Sequence, residues 1–115
     1  MAETGDWSRC IIPFDEANAR VHERGFSHPF VGAAIGAGQL QMHLSVIRPG
    51  EAAHPPHSHA GEEIMFLLEG QAEATIGDER HQIGPQTALF CPEHVLHGLR
   101  NCGEMPMRYL VIRTA

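Results

Sequence analysis

The fold turns on "GEAAHPPHSHAGEEIMFLLEG", Gly50 to Gly70. Its first half is turn-forming and rich in histidine, and its second half is an apolar run closed by glycine. His57 and His59 stand two apart, so on an extended backbone both imidazoles aim at one point. Pro55 and Pro56 fix φ and restrict the residues before them. That stiff approach lowers the entropy lost when the two rings are held in place. Ala60 and Gly61 supply a turn. Glu63 then opens the strand "EIMFLLEG" and at period two shares a face with Met65 and Leu67, while Ile64, Phe66 and Leu68 take the other. A carboxylate there points inward only if it is paired or bound to a metal. Glu62, one residue earlier, faces the opposite way.

The rest of the chain extends this strand grammar. "LQMHLSVIR" alternates, with Met42, Leu44 and Val46 opposite Gln41, His43, Ser45 and Ile47; pattern alone leaves open which side is the interior. "QAEATIG" alternates again, Gly77-Asp78 marks a hairpin, and "TALFCP", "HGLRN" and "MRYLVIRT" follow as further strands. In the last of these Tyr109 lies with Met107 and Val111, opposite Arg108, Leu110 and Ile112. Many short strands punctuated by Gly and Pro predict an all-β sandwich or barrel over residues 31–115. Residues 1–30 are expected to be an irregular extension with one short helix in "DEANARVHERG", Asp15 as its N-cap and Gly25 just past its end. His22 on that helix and His28 in a turn before Pro29 are expected in solvent.

Composition narrows the function. A chain of 115 residues fits one domain with a real core. Net charge is −6 and all eight basic residues are arginine. The lack of lysine excludes Schiff-base catalysis and a phosphate-loop lysine. With no basic cluster, nucleic acid is not an expected partner. No apolar run is long enough for a bilayer, and "MAETGDWSRC" has no apolar leader, so a cytoplasmic protein is expected. Cys10, Cys91 and Cys102 sit at unrelated spacings and read as reduced thiols, Cys91 in "ALFCP" as a small buried hydrophobe.

Nine histidines are the compositional oddity, and histidine is the commonest metal ligand. His57, His59 and Glu63 cluster locally, and His97 in "PEHVLHGLRN" is the distant fourth candidate. Three neutral imidazoles and one carboxylate leave a divalent ion with a net charge of about +1 and, in an octahedron, about two open positions. That suits Fe, Mn or Ni in preference to a closed zinc site.

"GEAAHPPHSHAGEEIMFLLEG" resembles the first signature of the cupin family, G(X)5HXH(X)3,4E(X)6G, with one extra residue between Gly50 and His57. "GPQTALFCPEHVLHGLRN" resembles the second, G(X)5PXG(X)2H(X)3N: Pro92, His97 and Asn101 match, Gly84 lies too far from Pro92, and His94 stands where the family has glycine. The resemblance implies a double-stranded β-helix, or jelly-roll, barrel that is usually dimeric, with one metal inside on His57, His59, Glu63 and His97. It also implies a metal-dependent enzyme acting on a small oxygen-rich, often anionic substrate, as a dioxygenase or a redox-neutral isomerase or lyase. The alternative is a non-catalytic metal- or ligand-binding module. Gln41, His43, His54, Glu62, Met65 and Tyr109 are the candidates for the substrate pocket, and none is assigned a catalytic role.

Overall fold

The computed structural model describes residues 7–114. Among them, nine strands run in the order β1 (Arg20–His22), β2 (Gly25–Val31), β3 (Leu40–Ile47), β4 (Glu63–Glu69), β5 (Ala72–Ile76), β6 (Glu79–Ile83), β7 (Thr87–Cys91), β8 (His97–Asn101) and β9 (Met107–Thr114). They form a six-stranded antiparallel sheet, β1-β2-β3-β9-β4-β7, and a three-stranded sheet, β6-β5-β8. This is the expected all-β jelly roll. Among the described residues no helix is long and apolar enough to cross a membrane.

Residues 20–31 depart from the expected irregular extension. A 3-10 turn does follow Asp15, whose side chain accepts from the Ala17 N–H, but it ends at Asn18. The chain then enters β1, and Gly25 opens β2 rather than closing a helix. Glycine is needed there for a different reason: a Cβ would stand 1.9 Å from the Val46 carbonyl oxygen across the ladder. Pairing of β1 with β2, and of β2 with β3, overrides the weak helical preference of this short segment.

His28 is likewise not solvated. It pairs opposite Leu44 and is 0% exposed. Its ring lies between Phe14 and Phe30, each 4.5 Å away centroid to centroid, and its Nε2 is 3.1 Å from both the N–H and the carbonyl of Asp15. The histidine thus pins the N-terminal segment to the outer face of the large sheet.

The register sorts every strand into two faces. Crossing from β3 through β9 and β4 to β7, one row reads Gln41, Arg113, Glu63, Cys91, the next His43, Val111, Met65, Leu89, and the next Ser45, Tyr109, Leu67, Thr87. These rows face the small sheet, because Met65, Leu67, Tyr109 and Val111 form one cluster with Ala72, Ala74 and Leu99. The open question about β3 is settled: His43 and Ser45 face the interior, and Met42, Leu44 and Val46 face out.

Asn101 ties the two sheets together. It is 0% exposed, its Nδ2 donates to the Ile47 and Met105 carbonyls at 2.9 and 2.8 Å, and its Oδ1 accepts from the Gly103 N–H at 2.9 Å. Alanine there would strand buried backbone groups. Asn101→Ala is expected to lower unfolding free energy by about 2–4 kcal/mol, read from urea denaturation; a loss below about 0.5 kcal/mol would contradict this role.

Candidate metal centre

Two chain segments far apart in sequence meet at the site. The His57 N–H donates to the His97 carbonyl at 3.0 Å, and the His97 N–H returns the bond to His57 at 2.8 Å. His57 and His59 do not lie in a continuous strand; this single bridge to β8 holds them extended. A second stitch runs from the His94 N–H to the His59 carbonyl at 2.8 Å, and a third from the Gly61 N–H to Glu93 Oε1 at 2.7 Å. His94 adopts φ 63°, the left-handed conformation that glycine supplies more easily. The turn is therefore kept with a histidine in it, at a local cost of roughly 1 kcal/mol.

Glu63 is 3% exposed on the inner face of β4. Its Oε1 lies 3.1 Å from His59 Nε2 and its Oε2 lies 3.4 Å from His97 Nε2. Donor atoms of His57, His59, Glu63 and His97 all fall within 4.8 Å of one another. The four ligands expected from spacing are thus brought together.

The hydrogen bonds behind the rings decide what the cluster can hold. His59 Nδ1 is 2.9 Å from the Ala60 carbonyl and His97 Nδ1 is 3.0 Å from the Val95 carbonyl. A carbonyl only accepts, so each Nδ1 carries the proton, and in the neutral ring each Nε2 presents a lone pair. Those lone pairs face carboxylate oxygens, which repel them unless a cation lies between. The Nε2 atoms of His57 and His97 are buried with no hydrogen-bond partner. Burial, reinforced by His54, His97 and His59 against the pull of Glu63, holds His57 below the usual histidine pKa and in its ligating form. Inward lone pairs on His59 and His97 and the buried, unpartnered Nε2 of His57, beside a buried carboxylate, fit a divalent transition metal.

The pocket candidates separate. His54 stacks on His57 at 4.0 Å between centroids, with its Nδ1 2.8 Å from the Pro55 carbonyl, so it backs a ligand from outside the cluster. Glu62 is exposed and stands outside the cluster. Gln41 is exposed at the start of β3, and His43 lies one inward position deeper. Burial pushes the His43 pKa down, opposed by Glu63 and aided by Arg113, His54 and Arg20. Met65 and Tyr109 are each 2% exposed and belong to the core. The Tyr109 hydroxyl bonds to Ser45, and burial raises its pKa. Gln41 and His43 also line a cleft of about 730 Å³ with Ile12, Arg20, Phe30 and Ile35.

Two further residues join the site. Cys91 sits opposite Glu63, fully buried as expected of a small hydrophobe, its thiol pushed up to about 12 by burial and by Glu63. Arg113 pairs opposite Glu63 from the other side, with Nη1 3.9 Å from Oε1. The period-two alternation that grouped Tyr109 with Met107 and Val111 also carries Arg113 to the inner face, and was signal enough to find it.

A family model described as "Cupin domain" matches residues 43–113. "Protein SchB" of Streptomyces halstedii is 30% identical over 99 residues, 85% of this chain and 72% of that protein. "Polyketide synthase CurC" of Streptomyces cyaneus is 28% identical over 74 residues, which span 64% of this chain and 48% of that protein. Among solved structures, the polyketide cyclase RemF from Streptomyces resistomycificus superposes with a TM-score of 0.72 at 21% identity, covering 99% of this chain and 80% of that one.

Purified protein is expected to hold about one transition metal per chain by elemental analysis, and His97→Ala and Glu63→Gln each to lose at least about tenfold in metal affinity while keeping the β-type circular dichroism spectrum. Full metal retention by both variants would remove this assignment.

Proposed function

The chain belongs to the cupin family, and on that premise we propose that it is an enzyme using one divalent transition metal on His57, His59, Glu63 and His97 to act on a small oxygen-rich substrate. The observation that carries the reading is the pair of buried imidazole nitrogens without partners beside the buried Glu63. Fe, Mn or Ni is favoured over Zn by three nitrogens, one oxygen and positions left open for a ligand. When bound, the metal would supply Lewis acidity to a bidentate substrate such as a 1,3-dicarbonyl, acidifying the carbon between its carbonyls.

The protein side of that chemistry is redox-neutral. Two similar proteins are named for polyketide synthesis and cyclisation, and a polyketide is a chain of alternating carbonyls. His43 is the proton acceptor we favour: it faces the interior, and burial keeps its ring neutral at physiological pH. Met65, Leu67 and Val111 close the floor with apolar surface and keep bulk water away from that proton. Free Cys10, Cys91 and Cys102 support work in the reducing cytoplasm.

A second copy would cover the outer face of the large sheet. Met42, Ile112, Ile64 and Phe90 form one row there, and Ile64 and Phe90 remain 38% and 51% exposed. A contiguous apolar patch across four strands is suited to an isologous dimer.

Two measurements test these proposals. Metal-loaded protein is expected to exchange or transform the central C–H of 1,3-dicarbonyls in deuterated buffer without consuming oxygen, with His43→Ala lowering the rate by about 10²–10⁴-fold at unchanged metal content. Stoichiometric oxygen uptake would replace this reading with a dioxygenase, and tight binding without turnover would replace it with a non-catalytic module. Sedimentation is expected to give a dimer at micromolar concentration and a monomer for Phe90→Asp; a monomeric wild type would exclude the dimer.

A further inference from the structure

Arg113 stands out among the charged groups at the site because its ion pair with Glu63 is long. It is on the inner face of β9, directly opposite Glu63 on β4 and Gln41 on β3. A guanidinium placed to pair with Glu63 would make a short, two-pronged contact. Its nearest approach is instead 3.9 Å, beyond hydrogen-bond reach. The Glu63 oxygens are already turned toward His59 and His97. Arg113 Nε is buried without a partner, while the side chain keeps 32% of its surface open. A buried N–H donor costs free energy unless something accepts from it.

Charge gives the same answer. Once Glu63 is committed to a metal, Arg113 adds a positive charge beside a centre that is already positive. Arg20 and His43 lie on the same side, and Arg20 lines the cleft that leads to Gln41 and His43. In a chain of net charge −6, this local excess of positive charge attracts anions into the barrel.

We infer that Arg113 selects the substrate: it takes a carboxylate on a ligand whose other oxygens meet the metal, with the Gln41 amide beside it at the mouth. The native substrate is then an anionic, carboxylate-bearing oxygen-rich molecule. This rests on the metal reading above and adds a residue and a charge requirement to it.

The test compares two β-diketones that differ by a carboxylate. Cobalt(II)-loaded wild type and Arg113→Gln are titrated with 2,4-dioxopentanoate and with pentane-2,4-dione, following the visible cobalt spectrum. Wild type is expected to bind the carboxylate-bearing probe more tightly. Arg113→Gln is expected to weaken that probe about 10–100-fold and the neutral one less than about threefold, at about one cobalt per chain. Arg113→Lys, which keeps the charge and loses the fork, is expected to fall between them. Equal affinities of wild type for both probes, or equal weakening of both in the variants, would overturn the role of Arg113 and leave the metal site standing. Failure of wild type to take up cobalt would overturn the metal reading and this inference with it. If Arg113→Gln fails to fold, the wild-type preference and the lysine variant decide the question.

Discussion

The reciprocal backbone bond between His57 and His97 is the constraint on which the site depends. Each residue belongs to the candidate metal cluster, and each uses its own N–H and carbonyl to fix the other. The segment that carries His57 and His59 meets β8 only at isolated bridges, so this exchange is what sets His57 against His97. The stitches from His94 to the His59 carbonyl and from Glu93 to the Gly61 N–H extend the same device by one turn. They also account for a left-handed φ on a residue that is not glycine. The turn must bring the His94 N–H onto that carbonyl, and three anchored contacts outweigh a strain of about 1–2 kcal/mol.

Burial works on the ligands in a coordinated way. Glu63 is almost fully enclosed, which would be prohibitive for a lone carboxylate. Arg113 stands 3.9 Å from one of its oxygens, and the imidazoles that face both oxygens leave room for a cation between. The rings in turn are set by carbonyls at Ala60 and Val95, which hold their protons on the far side. The inner face is thus polar where the loop and β8 meet β4 and β9, and apolar from Met65 and Leu67 onward. The His/Glu cluster and the core share one barrel because the register separates them by a single row.

How much of this the sequence revealed follows from the range of each signal. The clustered His57, His59 and Glu63 were legible because spacing two on an extended chain and a strand period are local, and His97 was legible through a second spaced motif. The strands from β3 to β9 were legible through alternation and Gly/Pro punctuation. β1 and β2 were not, because "GFSHPFV" is made into a strand by pairing with β3, and "RVH" by pairing with β2, rather than by their own pattern. The burial of His28 was invisible for the same reason: its partners, Phe14 and the Asp15 backbone, arrive from a segment with no periodicity. The face of β3 needed the His43 to Val111 pairing, which no single strand contains.

Arg113 belongs to a different class of omission. Its parity with Tyr109 and Val111 was visible, yet a charged residue near a strand end is ordinarily read as fraying into solvent. Only the pairing of β9 between β3 and β4 makes that end the interior of a sheet rather than an edge. A central strand has no solvent side along its plane, so a charge on its inner face must answer to whatever fills the barrel. The same placement puts the guanidinium in the row of Glu63, opposite Gln41. Position in the sheet, more than residue type, is what sets this arginine beside Glu63 on the inner face.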